Sequence, residues 1–302
     1  MKWKAASMPA LLSVLLCAVV LHTQAQTGSM PAWQKAAGGK AQFEVASIHM
    51  SAPGTFSSPS FPISADDSFM EPNGTFHADF PLTTYIEFAY KFWPTSSELH
   101  AMIAGLPDWV KKQNFTIQAK APIDTTKDQF RLMMQDLLRE RFALKVHFEE
   151  REVPALAMVL EKQGKTGPKL IPHDQGPPCD AKRQPGVFLG ICYTYGARPL
   201  PDGSWVNYCR ATTMDLLAAF IASTGESKGE IGRPVVDQTG LTGQWDFTLT
   251  MVPSPKPGAD DPAPAGSTFL EAIHDQLGLT LKPVKAKVPV LVIDHVQQPS
   301  EN

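Results

Sequence analysis

Apolar residues recur at helical spacing in four short segments of the chain. In each segment they follow the i, i+3, i+4 and i+7 positions that form one face of a helix. The segments are 84–93, 127–142, 213–223 and 269–277. We therefore predict four short amphipathic helices. Pro94 is expected to end the first helix, and Gly225 and Gly278 suit left-handed residues at the ends of the third and fourth.

Three of these helices begin with residues that can form a capping box. In this motif a Thr side chain and a Glu or Gln three residues later each accept a hydrogen bond from a backbone N–H that the first turn leaves open. The pairs are Thr84 with Glu87, Thr126 with Gln129, and Thr268 with Glu271.

Strand patterns lie between the helices. Alternating or continuously apolar runs occur at 43–50, 115–120, 143–148, 155–161, 247–251, 279–284 and 290–296. The run at 43–50 suits an edge strand. The charged run 149–152 separates two of the predicted strands, which indicates a solvated hairpin rather than an acid/base pair.

The two halves of this pattern repeat. A shift of 135 residues aligns the Val-Pro pair at 153–154 with the pair at 288–289, and a shift of 132 aligns 115–117 with 247–249. We predict an α+β fold of two related small lobes, at 43–162 and 205–298. Each lobe is expected to pack short amphipathic helices on a small mixed or antiparallel sheet.

Three further segments have the composition of loops or linkers. Residues 26–42 are small and polar, which indicates a flexible lead. Residues 163–204 are rich in Pro and Gly, carry cysteines and are predicted to connect the lobes. Residues 251–266 form a Pro-rich spacer within the second lobe, expected to be extended and semi-rigid.

The N-terminal residues 1–25 have the pattern of a secretory signal peptide. Lys2 and Lys4 precede an apolar run, and Thr23 and Ala25 supply small residues before a cleavage site. An uncleaved anchor is the alternative. No later apolar run is long enough to span a bilayer. We expect export to the periplasm or the medium, with no transmembrane helix after cleavage.

Charge argues against nucleic acid as a partner. The chain has 27 Lys and Arg against 30 Asp and Glu, a net charge of −3, and no basic cluster that could neutralise phosphates. The pattern leaves the oligomeric state open.

Three cysteines lie beyond the predicted signal peptide: Cys179, Cys192 and Cys209. In an oxidising compartment two of the three are expected to pair, and spacing does not choose among the pairings. The spacing does not match the short C-x-x-C units of structural zinc sites, so a disulfide is favoured over a metal. We predict no metal ligand and no cofactor.

No standard catalytic signature is present. The chain lacks G-x-S-x-G, H-E-x-x-H and the S-x-x-K set. Its histidines are isolated in sequence. Asp237 and Asp246 flank a Gly-rich turn, where Asp is favoured for local hydrogen bonds. We predict no catalytic residue.

Tryptophan is the residue type best suited to partner contact here. Trp93 and Trp245 fit apolar faces and are expected in the core. Trp109 and Trp205 lie in loop-like surroundings, so we predict these two as contact residues.

Four segments carry a resemblance to a known family: PDWVKKQNFTIQAKAP, MMQDLLRERFALKVHFEEREVPALAMVLEK, GRPVVDQTGLTGQWDFTL and LGLTLKPVKAKVPVLVIDHVQQPSEN. They resemble a family of secreted proteins of unknown function that is expanded in soil acidobacteria. Some of its members are attached to membrane-bound, BlaR-like metallopeptidases, which implies sensing at the envelope. The helix-strand-strand unit at 268–296 also resembles the short N-terminal domains of secretins and TonB-dependent receptors, which implies partner binding or assembly.

These observations favour a non-enzymatic envelope protein that binds a protein or peptide, for example by adding a strand to a sheet edge. The alternatives are a secreted hydrolase and a small-molecule receptor with a site between the lobes.

Overall fold

The computed structural model describes residues 31–38, 42–52, 54, 57–69, 72–179, 190–252 and 266–299. The helices are α1 (Ala32–Ala37), α2 (Leu82–Ala89), α3 (Ser96–Ile103), α4 (Trp109–Lys112), α5 (Lys127–Arg141), α6 (Met214–Ser227) and α7 (Phe269–Ala272). The strands are β1 (Val45–Met50), β2 (Thr75–Pro81), β3 (Asn114–Lys120), β4 (Lys145–Leu160), β5 (Leu170–Pro172), β6 (Gly196–Pro199), β7 (Trp205–Thr212), β8 (Val235–Asp237), β9 (Trp245–Met251) and β10 (Leu279–His295). The predicted α+β class is confirmed.

The first sheet is antiparallel and has the order β1-β3-β2. Its inner face packs against α2 and α5, because alternate strand residues are apolar and meet the apolar stripes of both helices. The predicted edge position of β1 is confirmed. The fully buried members of this first core include Phe76, Phe115, Ile117, Phe130, Met134 and Leu138.

The second sheet has the order β5-β9-β7-β6. One face packs against α6 and α7 and forms a second core, whose fully buried members include Cys209, Leu217, Ile221, Leu249, Phe269 and Leu277. The opposite face of this sheet carries the candidate functional site.

Strands β4 and β10 pair with each other over nearly their whole length and form a ribbon shared by both cores. Leu291 and Ile293 lie in the first core, whereas Met158 and Leu279 lie in the second. Strand β8 extends the ribbon by parallel pairing with β4. This arrangement is compatible with two lobes, and the division of the chain into 43–162 and 205–298 stays a prediction.

The ribbon corrects two predictions. Residues 143–148 and 155–161 were expected as separate strands, as were 279–284 and 290–296, with a hairpin at 149–152. Each pair is one continuous strand, and 149–152 lies in the middle of β4.

The prolines within the ribbon explain why these strands can continue. Leu156 donates its backbone N–H to Pro234 on the side away from β10, and antiparallel pairs alternate between bonded and unbonded positions. Pro154 and Pro289 occupy the unbonded positions. Their missing N–H groups therefore remove no hydrogen bond from the pair.

The helix starts follow the capping prediction in two of three cases. The boxes of Thr126 with Gln129 and of Thr268 with Glu271 are confirmed. The box at Thr84 is wrong, because α2 already begins after Pro81 and Thr84 lies inside it. A box that the sequence analysis missed, between Thr95 and Glu98, starts α3.

Two glycines at the predicted helix ends behave differently. Gly225 is not a terminus, because α6 continues to Ser227. A Cβ at Gly225 would lie 2.4 Å from Cδ1 of Ile231, so the glycine makes room for this side chain. Gly278 has the predicted left-handed conformation, with φ of 69°. A Cβ there would lie 2.5 Å from the backbone nitrogen of Gly167, so this close approach also requires glycine.

A buried arginine fixes the segment 61–69 on α5. Arg131 has no exposed surface and donates hydrogen bonds to the carbonyl oxygens of Ser64, Ala65 and Asp66. Lys127 also donates to the Asp66 carbonyl, at 2.6 Å, and burial is the main cause that lowers its pKa to about 8. These contacts tie irregular backbone to the first core.

Some predicted segments lie partly or wholly outside the described residues. The signal peptide 1–25 and residues 253–265 of the Pro-rich spacer are among them. Within the predicted lead 26–42, residues Ala32–Ala37 form α1, which packs near α5. Across the described ranges, no helix combines the length and the apolar character needed to cross a membrane.

Candidate functional site

A disulfide lies over the outer face of the second sheet. It joins Cys179 to Cys192, with a Cα–Cα distance of 5.7 Å. Cys179 is exposed, whereas Cys192 is 8% exposed. The backbone of Cys192 forms an isolated parallel β-bridge with Arg210 of β7. Cys209 is free and lies in the second core, where burial raises the pKa of its thiol. The sulfur pair therefore has one accessible and one protected member.

Arg210 holds the two segments that carry these cysteines. Its guanidinium donates to the carbonyl oxygens of Pro177 and Pro178 on one side and to that of Gly190, at 3.3 Å, on the other. Five N–H donors in a fixed plane let one arginine satisfy several carbonyls at once. The positions of both sulfurs thus depend on a side chain of the sheet.

The Asp246 carboxylate is the centre of the polar network beneath the disulfide. It is 7% exposed and accepts hydrogen bonds from the backbone N–H of Ala211, at 2.9 Å, and from Nε of Arg210, at 3.4 Å. Ala211 has φ of 56° at an irregularity in the pairing of β7. A non-glycine residue is disfavoured in this conformation, and the bond to Asp246 compensates for it.

His173 connects Asp246 to the disulfide. Its Nδ1 lies 2.6 Å from Oδ1 of Asp246, and its Nε2 lies 3.4 Å from Sγ of Cys179. The ring sits on the short 3-10 turn His173–Gln175 that directly follows β5. The imidazole therefore contacts a carboxylate through one ring nitrogen and the sulfur of the exposed Cys179 through the other. When Cys179 is reduced, this arrangement allows the imidazole to exchange a proton with its thiol while the carboxylate orients the ring.

A shallow pocket of about 420 Å³ opens beside His173. It is lined by Pro172, His173, Asp174, Thr242, Gly243, Gln244 and Trp245. Its shape offers one side chain or a short segment of a partner a place beside the imidazole.

Exposed apolar residues flank the buried cysteine. Ile191 is 55% and Tyr193 is 38% exposed. Together with the exposed Pro177 and Cys179 they form what we call the disulfide surface. The described stretches 177–179 and 190–194 carry no charged side chain. The exposed apolar side chains of this surface are suited to contact with apolar groups.

The predicted contact aromatics lie elsewhere. Trp109 is half-buried on α4, where its ring stacks on Phe142, with centroids 6.4 Å apart. Trp205 is 42% exposed at the start of β7. The structure does not bring these two residues together with the disulfide network.

The structure separates the two aspartates that the sequence placed at one turn. Asp237 accepts hydrogen bonds from the N–H and the hydroxyl of Thr239, the local role expected of a turn residue. Asp246 instead reaches His173 across the sheet. Sequence reasoning missed this pair, because neither residue has a neighbour in sequence that marks it.

The three groups at the site also have the spacing of metal ligands. The nearest donor atoms of His173, Cys179 and Cys192 lie within 4.8 Å of one another. The two sulfurs are bonded to each other, so in this state they are not thiolate ligands.

Comparison with known proteins gives one match. The family profile described as Protein of unknown function (DUF3738) matches residues 83–296. This match covers most of the described strands and helices and the whole disulfide network. Comparisons with curated proteins and with solved structures give no match.

Proposed function

The chain belongs to the DUF3738 family of proteins of unknown function, and on this premise we propose that it is an exported protein of the bacterial cell envelope that binds a protein or peptide partner. Export is supported by the charged, apolar and small-residue pattern of residues 1–25. The resemblance to acidobacterial secreted proteins and to secretin N-terminal domains supports the same compartment.

The disulfide surface is the observation that carries the binding function. It presents Ile191 and Tyr193 to solvent from a segment held by a covalent bond and by Arg210. A segment fixed in this way loses little conformational entropy on binding, which favours affinity from a modest contact area.

The occupant that we propose is an extended, apolar segment of another protein. The neighbouring pocket is shallow and lies at the rim of the surface, whereas small-molecule sites enclose most of their ligand.

A secreted hydrolase is the second candidate, and the pairing of His173 with Asp246 beside the pocket favours it. These groups lie on the outer face of the second sheet rather than between the two cores. The sulfur that would serve as a nucleophile is bonded to Cys192. The geometry therefore supports binding better than hydrolysis.

Site-specific photo-crosslinking in the native host tests the binding function. The photoreactive residue is placed at position 193 of the tagged full chain. Two versions of this chain are compared, one with Ile191 unchanged and one with Ile191→Asp. The matched control carries the same residue at position 123, because Ile123 is 64% exposed but distant in sequence from the disulfide surface.

The expected result is one discrete crosslinked envelope protein from position 193 that disappears in Ile191→Asp. The purified partner should then bind the Ile191→Asp chain at least ~10-fold more weakly than the unchanged chain. Identical products from positions 193 and 123, or no product from 193, would overturn the binding function. Recovery of unprocessed precursor from the cytoplasm alone would overturn export.

A further inference from the structure

We infer that the Cys179–Cys192 disulfide is a thiol–disulfide exchange site, in which His173 moves protons and Asp246 positions His173. The inference concerns the same surface as the proposed binding function but does not rest on it, because a small dithiol can serve as the reaction partner. The substrate class is a dithiol, either a small molecule or two cysteines of a protein.

The unequal burial of the two cysteines fixes the direction of attack. A thiolate attacks one sulfur of a disulfide and the other sulfur leaves. Cys179 is exposed and Cys192 is 8% exposed, so the incoming thiol reaches Cys179 and Cys192 leaves.

The first step forms a mixed disulfide. The bond between the incoming sulfur and Sγ of Cys179 forms, and the Cys179–Cys192 bond breaks with its electron pair on Cys192. Nε2 of His173, 3.4 Å from Sγ of Cys179, accepts the proton of the incoming thiol. A ring nitrogen of His173 also lies within 4.8 Å of Sγ of Cys192, so the imidazole is close enough to return the proton to that sulfur.

The second step completes the exchange. The other thiol of the substrate attacks its own sulfur in the mixed disulfide, and Cys179 leaves with the electron pair. His173 carries the second proton from the substrate to Cys179. In sum, the dithiol is oxidised to a disulfide, and Cys179 and Cys192 are reduced to thiols.

Asp246 makes His173 suitable for this role. The bond of 2.6 Å from Nδ1 to Asp246 orients the ring, so that Nε2 faces the sulfur. The other charged groups at this place are Arg210, which contacts Asp246, and Asp174 at the pocket. An oriented imidazole at the accessible sulfur is unnecessary for a disulfide that only crosslinks the chain.

Arg210 makes the exchange reversible. It donates to the carbonyls of Pro178 and Gly190, which lie next to and near the two cysteines, and these bonds involve neither sulfur atom. The two thiols therefore stay close after reduction. Cys209 cannot replace either one, because it is buried in the second core.

Reduction kinetics of the purified oxidised chain test the inference, with dithiothreitol as the probe and a metal chelator present. We compare the unchanged chain with His173→Gln, in which the amide can still hydrogen-bond to Asp246. Cys209→Ala and Ile123→Asp are controls that lie outside the site.

The expected result is reduction of His173→Gln at pH 7 at least ~10-fold more slowly than the unchanged chain, within the range of acid–base effects of a positioned side chain. The ratio of the two reduction rates should approach one above about pH 9, where the attacking thiol is already ionised. The two controls should match the unchanged chain. Equal rates for His173→Gln and the unchanged chain at pH 7, or reduction only after unfolding, would overturn the inference.

A second measurement covers the case in which His173→Gln does not fold. Cys192→Ser leaves Cys179 as an accessible thiol, and Cys179→Ser leaves the protected Cys192. Both variants also keep the buried thiol of Cys209 as a common background. An aromatic disulfide reagent should label Cys192→Ser much faster than Cys179→Ser, and equal rates would contradict the assigned direction of attack. A negative result in these reactions would not contradict the binding function, which crosslinking tests. A negative result in crosslinking would not contradict the exchange reaction.

Discussion

Nδ1 of His173 and Oδ1 of Asp246 lie 2.6 Å apart, although the two residues are separated by 73 positions in the chain. The same carboxylate accepts hydrogen bonds from the N–H of Ala211 and from Arg210. One buried charge therefore joins the turn after β5, the irregular part of β7 and the start of β9.

Removing the charge of Asp246 should destabilise the protein. Asp246→Asn leaves the Arg210 guanidinium buried without its carboxylate, which we expect to lower the free energy of unfolding by about 3 kcal/mol. Urea unfolding of the oxidised chain measures this loss. Asp237→Asn is the matched control, since the hydrogen bonds described for the Asp237 carboxylate go to Thr239 in its own turn, and it should cost less than ~1 kcal/mol. Equal losses in the two variants would contradict the role of Asp246.

Glu87 should make stability depend on pH. Burial within the first half of the chain raises its pKa from the ordinary 4.5 to about 7. Between these values the folded state keeps a proton that the unfolded chain releases, so the free energy of unfolding falls as pH rises through this window. Glu87→Gln should be more stable than the unchanged chain by about 3 kcal/mol at pH 8, and similar to it near pH 4.

The control for Glu87 is Glu150→Gln on the exposed part of β4. Its pH profile of thermal or urea unfolding should follow that of the unchanged chain. A Glu87→Gln profile parallel to the unchanged one between pH 4.5 and 7 would show that Glu87 is not the group responsible.

Two glycines with the same backbone conformation should differ in their tolerance of alanine. Gly278 and Gly240 have φ of 69° and 72°, but a Cβ at Gly240 meets no atom within 4 Å, whereas one at Gly278 meets the Gly167 backbone. Gly240→Ala should cost about 1 kcal/mol from the left-handed conformation alone. Gly278→Ala should cost roughly 2 kcal/mol more because backbone must move. Similar losses in urea unfolding would contradict the close approach.

Substitutions at the two ends of β10 should destabilise different cores, because the ribbon is shared by both. Leu291→Ala and Leu279→Ala remove fully buried side chains from the same strand, β10, and each should cost about 2–4 kcal/mol. Amide hydrogen exchange should increase in α5 for Leu291→Ala and in α6 for Leu279→Ala. Increased exchange in α6 alone for both variants would contradict the packing of Leu291 in the first core.

The sequence predicted the parts of the fold that local physics decides. Helix α5 has a regular apolar stripe and a capping box, and both signals lie within the helix or at the residue that precedes it. The continuity of β4 could not be read in this way, because Pro154 and the charges at 149–152 indicate a break. That strand continues because β10 supplies a partner along its length.

The candidate site was beyond sequence reasoning for a similar reason. Spacing left three cysteine pairings open, and only the fold brings Cys179 and Cys192 over the same sheet face. His173 follows an unremarkable three-residue strand, and its partner Asp246 belongs to a strand whose sheet position is set by β7. The chemistry arises from tertiary contacts between residues that are isolated in sequence.

The β4–β10 ribbon also imposes an order on folding. The first core contains residues from β1, near position 45, and from β10, near position 293. A chain that emerges N-terminus first, from a ribosome or from a translocation channel, cannot complete this core until β10 has passed through. For a protein exported as proposed, the first core can therefore close only once β10 has emerged on the far side of the membrane.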